Sequence, residues 1–342
     1  MDLLPPDALC LADYARLARE VIAAPVWAWL DGGSGGEQAR RADGFARHAI
    51  YNRVLGARQV SCAARVLGQD LAMPVLLAPV GYHRLVHDDG ELATARGAFD
   101  AGMVVSTMAS VPMEDIAKAA SGPLWFQLYF QPTREETLAL VRRALASGYR
   151  GLMVTLDTPV QPASLAAIKA GFALPPGVEA VHLRSGGGSF AQLLARAPGV
   201  ADLEWLRDVW PLPLIAKGIT HPDDAKALMA MGFDGIVVSN HGGRALECAP
   251  VPVDVLPAIR EAVGPEACVL MDGGVGGGAD VFKAIALGAD AVMLGRAQIH
   301  ALAVGGSLGV AHMLKLLREE LEVVMALAGL PCVGDIGAEA LC

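Results

Sequence analysis

Gly235-Ile236-Val237-Val238-Ser239-Asn240-His241-Gly242-Gly243-Arg244 decides the fold, because an apolar run ends abruptly in polar groups and paired glycines. A run apolar on both faces reads as a strand of a buried parallel sheet. The loop after it then lies at the strand's carboxyl end, where α/β barrels place their chemistry. His241 and Arg244 put a general base and an anion clamp three residues apart, the pair that proton or hydride removal from a small acid needs. Taken alone, the loop is equally well a βα connection whose histidine only hydrogen-bonds its neighbours. The rest of the chain decides.

Outward from this stretch the pattern repeats, with short apolar runs alternating with amphipathic segments and turn residues from Pro74 onward. Eight runs fit, at 74–78, 103–107, 124–129, 151–156, 214–216, 235–238, 268–271 and 289–294. Helical spacing covers 90–101, 133–147, 222–231, 253–263 and 279–287. The expectation is an α/β protein, a (β/α)8 TIM barrel at 74–300 inside a single 342-residue domain.

An N-terminal helical extension, 1–73, precedes the barrel. It holds a helix at 8–23, a Trp27–Asp31 segment entering the glycine-rich turn 32–36, and a second helical stretch from Glu37 to Ala49. Residues 301–342 predict a C-terminal helix, centred on 312–327, that closes the barrel bottom or packs beside the first helix. The interval 160–213 is long for a βα connection and predicts a mobile active-site cover.

Apolar residues make up 54% of the chain against 18% charged and 5% aromatic, which suits many buried aliphatic strands under helices. A net charge of −9 with scattered Lys and Arg leaves no footprint for nucleic acid or anionic lipid. No basic-then-apolar leader opens the sequence, and no charge-free stretch reads as long enough to span a bilayer, so a soluble cytoplasmic protein is expected. Cys10, Cys62, Cys248, Cys268, Cys332 and Cys342 lack CxxC spacing and read as free thiols. No histidine spacing suggests a metal site.

The predicted strands end in polar residues: Gln127 and Tyr129, Thr155 and Asp157, Lys217, Ser239 to His241, Asp272 and Arg296. Charged groups at the ends of buried strands are costly unless paired or functional, so their convergence on one rim favours a catalytic reading of His241. Glycines 273, 274 and 276–278, with Gly295, offer bare N–H groups after strands seven and eight, where barrels hold phosphate. Tyr82 and His83 follow strand one and either line the pocket or turn the chain. His87, His182, His221, His300 and His312 read as caps, turns or surface groups.

These residues resemble the FMN-dependent α-hydroxy-acid oxidase and dehydrogenase family. The resemblance rests on residues 239–244 with Pro252, Asp254 and Leu256; Asp272-Gly273-Gly274-Val275 followed by 280–284; Trp125-Phe126-Gln127-Leu128-Tyr129; and Thr155-Leu156-Asp157-Thr158-Pro159. Residues 78–84 and 31–35 are most similar to its hydroxymandelate oxidase branch.

The resemblance implies oxidation of a 2-hydroxy acid to a 2-oxo acid, with dioxygen reduced to hydrogen peroxide. It implies His241 as base while a hydride equivalent passes to flavin N5, Asp157 steadying the imidazolium, Lys217 facing flavin N1 and O2, Arg244 on the substrate carboxylate and Tyr129 on the substrate oxygen. Ala78, Pro79, Val80, Gln127, Thr155, Lys217, Ser239, Asp272, Gly274, Gly295 and Arg296 would hold FMN. Trp29, Gly81, Tyr82, Tyr129 and Arg244 would line the substrate pocket. A homo-oligomer, a tetramer by family analogy, is implied as well.

Four departures qualify these expectations. Pro162-Ala163-Ser164 stands where the family carries a Gly-Arg-Arg element, so either Arg244 suffices, another group substitutes, or the substrate is not a small free acid. Trp29 replaces a substrate-contacting tyrosine and favours a bulkier substrate, an aromatic one among the options. Gly276 replaces an arginine at the phosphate, implying weaker FMN binding. Ala109 stands in for a flavin-contacting serine. Alternatives are oxidation of a carrier-linked biosynthetic intermediate, a flavin-binding barrel without turnover, and, less in keeping with this His–Arg pair, a phosphate-ligand isomerase.

Overall fold

The computed structural model describes residues 4–34, 44–56, 59–99, 101–160, 163–183, 190–195 and 197–342. The turn beyond Ser34, most of the 37–49 stretch, Pro162 and glycines 186–188 lie outside them.

Eight parallel strands close a barrel: β1 (Val75–Leu77), β2 (Gly102–Ser106), β3 (Leu124–Leu128), β4 (Leu152–Thr155), β5 (Leu214–Ile219), β6 (Gly235–Val238), β7 (Cys268–Asp272) and β8 (Ala291–Leu294). They pair in sequence order, and β8 returns to β1 through Val292 opposite Val75 and Leu294 opposite Leu77. Strand β5 runs on past its predicted end at Ala216. Lys217 and Gly218 interrupt the apolar pattern there, and the register against β6 shifts between Lys217 and Ile219, as a β-bulge does.

Each strand contributes a side chain to the barrel interior: Leu76, Val104, Trp125, Met153, Ile215, Val237, Leu270 and Met293. An antiparallel hairpin, 64–66 with 69–71, turns through Leu67 and Gly68, both at positive φ. Two such residues are what a tight hairpin turn requires. Its Val66, Leu67 and Leu71 pack against the same interior cluster. The hairpin tip lies beside the starts of β3 and β4, so it plugs the barrel's amino-terminal end.

The outer layer is helical: α1 (Leu11–Val21), α2 (Ala24–Asp31), α3 (Glu91–Gly97), α4 (Met113–Ala119), α5 (Arg134–Ala146), α6 (Leu165–Lys169), α7 (Phe190–Ala195), α8 (Val200–Val209), α9 (Pro222–Ala230), α10 (Pro252–Val263), α11 (Gly278–Ala286) and α12 (Arg296–Ala328). The interval 160–213 is therefore no plain loop. Helix α8, buried through Leu203 and Leu206, is the crossover from β4 to β5, and α6 packs on α2. His182, expected as a cap or surface group, is instead buried, with Nε2 3.0 Å from the Met113 amide and 3.2 Å from the Val111 carbonyl. Burial pushes its pKa down to about 4.

Trp27 to Asp31 is helical, the end of α2, which stops at Gly32. Two other expectations change. Helix α12 starts directly after β8, at Arg296, and breaks at Gly305 and Gly306. It is also apolar and long enough to cross a bilayer, contrary to the sequence reading, but 56% of its apolar 18-residue window is buried in the protein. It packs beside α1, where the Tyr14 hydroxyl lies 2.8 Å from His312 Nδ1.

Trp125 fills the barrel because Gly102 and Gly151 flank it; a Cβ at either would overlap the indole. Gly102→Ala should therefore lower stability by ~1–3 kcal/mol through overpacking. Chemical denaturation checks this, and an unchanged midpoint would mean the ring has room to move.

Candidate active site

His241, Gly242 and Gly243 all have positive φ (57°, 62° and 78°), and this turns the chain sharply after β6. For a histidine that conformation is strained, so surrounding bonds must hold it. Ser239 Oγ accepts the His241 amide at 3.0 Å, Asn240 O accepts the Gly243 amide at 3.0 Å, and the Ser34 amide donates to Gly243 O at 2.9 Å.

The turn aims the imidazole at Asp157, just beyond β4, with Nδ1 2.9 Å from Oδ1. An ionised carboxylate only accepts, so Nδ1 carries a hydrogen, and in the neutral imidazole the lone pair is then on Nε2. Burial alone would raise the Asp157 pKa, but the hydrogen bond and charge of His241, aided by Lys217, hold it below the usual carboxylate value. Gly218 makes the approach possible: it sits in the β5 bulge at φ +97°, and a Cβ there would overlap the Asp157 carboxyl.

Lys217 points into the barrel mouth and is buried. Its Nζ donates to Ser239 Oγ and to Asp272 Oδ2, each at 2.9 Å. Burial would depress its pKa; the charges of Asp272 and Asp157 more than offset this, and the ammonium stays charged. Beside it Gln127 donates to Thr155 Oγ1 at 3.0 Å and accepts from Ser106 Oγ at 3.1 Å and the Thr107 amide at 3.2 Å. Asp157 Oδ2 is buried with no hydrogen-bond partner among the described residues, and Thr158 is a hydrogen-bond partner of the Tyr129 phenol.

Arg244 Nη1 donates to the carbonyls of Trp29 (2.6 Å), Leu30 (3.4 Å) and Gly32 (3.0 Å) at the end of α2. The guanidinium lies over the Trp29 ring, 5.1 Å from its centroid. Burial lowers its pKa, countered by Tyr129 and Asp31, yet an arginine remains cationic at any physiological pH. Trp29 in turn stacks on Phe172 at 5.4 Å and meets the Tyr82 edge at 5.7 Å. Burial raises the Tyr129 pKa, so its phenol keeps its proton and can donate. Gly81 packs on Met108, whose carbonyl accepts the Tyr82 amide at 3.0 Å.

Ala78, Pro79 and Val80 leave β1 along this rim; Ala78 is tied to Leu294 and Gln298, and Val80 packs against the cluster of Ala18, Ile22, Leu30 and Ile299. At the glycine-rich end, Gly273 and Gly274 have positive φ and Gly295 has open space where a Cβ would be. The Gly276 and Gly278 amides donate to Asp280 Oδ2 (2.9 Å) and Glu320 Oε2 (2.8 Å). Arg296, expected at a phosphate, donates to Gly242 O at 2.6 Å and Leu30 O at 3.3 Å. His83 turns away from the pocket, buried against Thr94 Oγ1 at 2.9 Å, and His300 stacks on Trp27.

Sequence reading missed Gly218, Ser106, Thr107, Thr158 and Phe172. A glycine inside an apolar strand was an available bulge signal for Gly218. Phe172 carried none, since its meeting with Trp29 depends on α6 docking onto α2.

No cluster of metal-ligating side chains occurs among the described residues. The donor set suits a flat heteroaromatic with one edge that becomes anionic: a buried cation, an amide and hydroxyls crowd one floor. FMN fits that set: Lys217, Gln127, Thr155 and Ser239 would hold the ring, and the amides near Gly274 and Gly295 the phosphate. Fold and site together define a flavin-dependent oxidoreductase of the (β/α)8 type. The chain belongs to the FMN-dependent dehydrogenase family, which it matches over residues 18–342. L-lactate oxidase from Alicycliphilus denitrificans is 46% identical over 99% of this chain and 98% of that protein. Human 2-hydroxyacid oxidase 1 is 37% identical, over 95% and 94%. A mandelate oxidase variant solved with (S)-mandelic acid has a TM-score of 0.90 at 38% identity, covering 98% of each chain.

Because the Asp157 pKa is depressed in the fold, the stability its ionisation contributes is complete above the unfolded carboxyl value near ~4 and is lost as pH falls through the lower folded value. The stability gap between the parent and Asp157→Asn should thus narrow on acidification from about pH 6 to about pH 3, read by urea denaturation. A widening gap would mean the carboxyl is destabilised as an anion.

Proposed function

We propose that this protein oxidises a 2-hydroxy acid to the 2-oxo acid, with FMN as its electron carrier, dioxygen as the acceptor and His241 as the base. The observation that carries the reading is His241 Nδ1 at 2.9 Å from Asp157 Oδ1, with Arg244 on the same turn. The chemistry FMN supplies when bound is acceptance of the two electrons of the substrate's α C–H bond and their delivery to dioxygen.

The chain's own residues do the rest. Arg244, anchored through Nη1, presents its remaining N–H groups to the substrate carboxyl. Tyr129 donates to a substrate oxygen. His241 Nε2 takes the hydroxyl proton, and Asp157 stabilises the imidazolium that results. Lys217, held cationic by Asp272 and Asp157, offsets negative charge that builds on the barrel floor.

Trp29, Tyr82 and Phe172 form an aromatic wall around Arg244 and favour a substrate with an aromatic or large apolar side chain. The likeness to mandelate oxidase supports this; the likeness to L-lactate oxidase supports a small one. Free thiols among the cysteines suit a reducing, cytoplasmic setting. Exposed Val54 and Leu55, on a segment tied to Leu327 of α12, suit self-association into a homo-oligomer such as a tetramer, which light scattering would measure.

Anaerobic addition of (S)-mandelate should bleach the visible flavin band, and air should restore it with hydrogen peroxide. (S)-Mandelate should exceed L-lactate in kcat/KM by ~10-fold or more; the reverse order would assign the small-substrate reading. His241→Asn should retain the yellow colour and lose ~10²–10⁴ in reduction rate. Parent-like reduction by that variant would remove His241 as the base.

A further inference from the structure

We infer that the pocket also oxidises uncharged 2-hydroxyacyl compounds, esters and amides of 2-hydroxy acids, with an efficiency close to that for the free acids. The inference rests on the function proposed above and concerns the charge its pocket demands at the carboxyl carbon.

Among the described residues of the mouth, Arg244 is the cation left to meet a substrate carboxyl. Lys217 is matched by Asp272 at 2.9 Å, and Arg244 and Asp157 supply one charge of each sign. Arg296 spends its guanidinium on the carbonyls of Gly242 and Leu30. A free carboxylate therefore gains Arg244 as its countercharge but must be desolvated beside Asp157, whereas an ester or amide keeps a carbonyl oxygen for the same N–H groups and has no charge to desolvate.

Arg244 is built for either. Three main-chain carbonyls hold its Nη1, and its remaining N–H groups can bond one neutral carbonyl oxygen as readily as a carboxylate. Ser164 sits against Gly32, with Oγ 2.7 Å from where a Gly32 Cβ would be, next to the carbonyl that anchors Arg244. That hydroxyl caps α6 by accepting the Ala167 amide, and its neighbour Ala163 is an exposed methyl. Arg244 also lies over the Trp29 ring, which is flanked by Tyr82 and Phe172, an aromatic wall that suits an alkyl or amide substituent.

The reaction balances as for the acid. The substrate R–CH(OH)–C(=O)X loses its hydroxyl proton to His241, and its α hydrogen leaves with the bonding pair to the bound FMN. Dioxygen then takes two electrons and two protons to give hydrogen peroxide, and R–CO–C(=O)X is released with its C–X bond intact.

The test uses the FMN-loaded protein with (S)-mandelate, methyl (S)-mandelate and (S)-mandelamide. A separate titration of the visible flavin spectrum uses the unreactive pair phenylacetate and phenylacetamide. The inference expects kcat/KM for ester and amide within ~10-fold of the acid, and Kd values of the unreactive pair within ~10-fold, since one charge-assisted bond is worth about that factor. It also expects Ala163→Arg to shift both ratios towards the acid by ~10-fold or more. Oxidation of the acid with ester and amide poorer by ~100-fold or more in turnover and binding would overturn the inference and leave the proposed function standing. If none of the three bleaches the flavin, the proposed function fails and this inference with it.

Discussion

A charge taken out of water at the mouth of a barrel must find a partner within a few ångströms, and this one requirement organises the site. Lys217 meets Asp272 and Ser239, Asp157 meets His241, and Arg244 meets three carbonyls and an indole face. Each pairing joins different strands or loops. The rim is thereby tied together by the same contacts that set its protonation states.

Those pairings impose backbone geometry. His241 can reach Asp157 only because its own φ is left-handed and because Gly218 leaves the space a side chain would fill. Arg244 and Arg296 both bind carbonyls from α2, so the N-terminal extension is part of the site's wall. Phe45 lies beside Gly274 in the same way, with Lys283 donating to its carbonyl. The barrel presents the residues; the extension and the α6 segment bring the walls up to them.

The strands were legible because parallel strands covered on both faces are short apolar runs, here bounded by turn residues and alternating with amphipathic segments. Legibility failed where polar residues entered an element. Lys217 and Gly218 hid the end of β5, and short, polar α8 hid inside a glycine- and proline-rich interval. Two histidines were misjudged for a related reason: burial of His182 and His300 depends on Val111 and Trp27, partners remote in the chain.

Sequence alone determined the eight-strand alternation and the set of polar groups at the strand ends, because periodicity and abrupt changes of polarity are local properties of the chain. Only the tertiary structure decided which of these groups meet. The 2.9 Å contact of His241 with Asp157, the matching of Lys217 by Asp272 and the stacking of Trp29 between Arg244 and Phe172 are long-range pairings. They follow from barrel closure, the β5 bulge and the docking of α6 on α2, and no spacing along the chain encodes them.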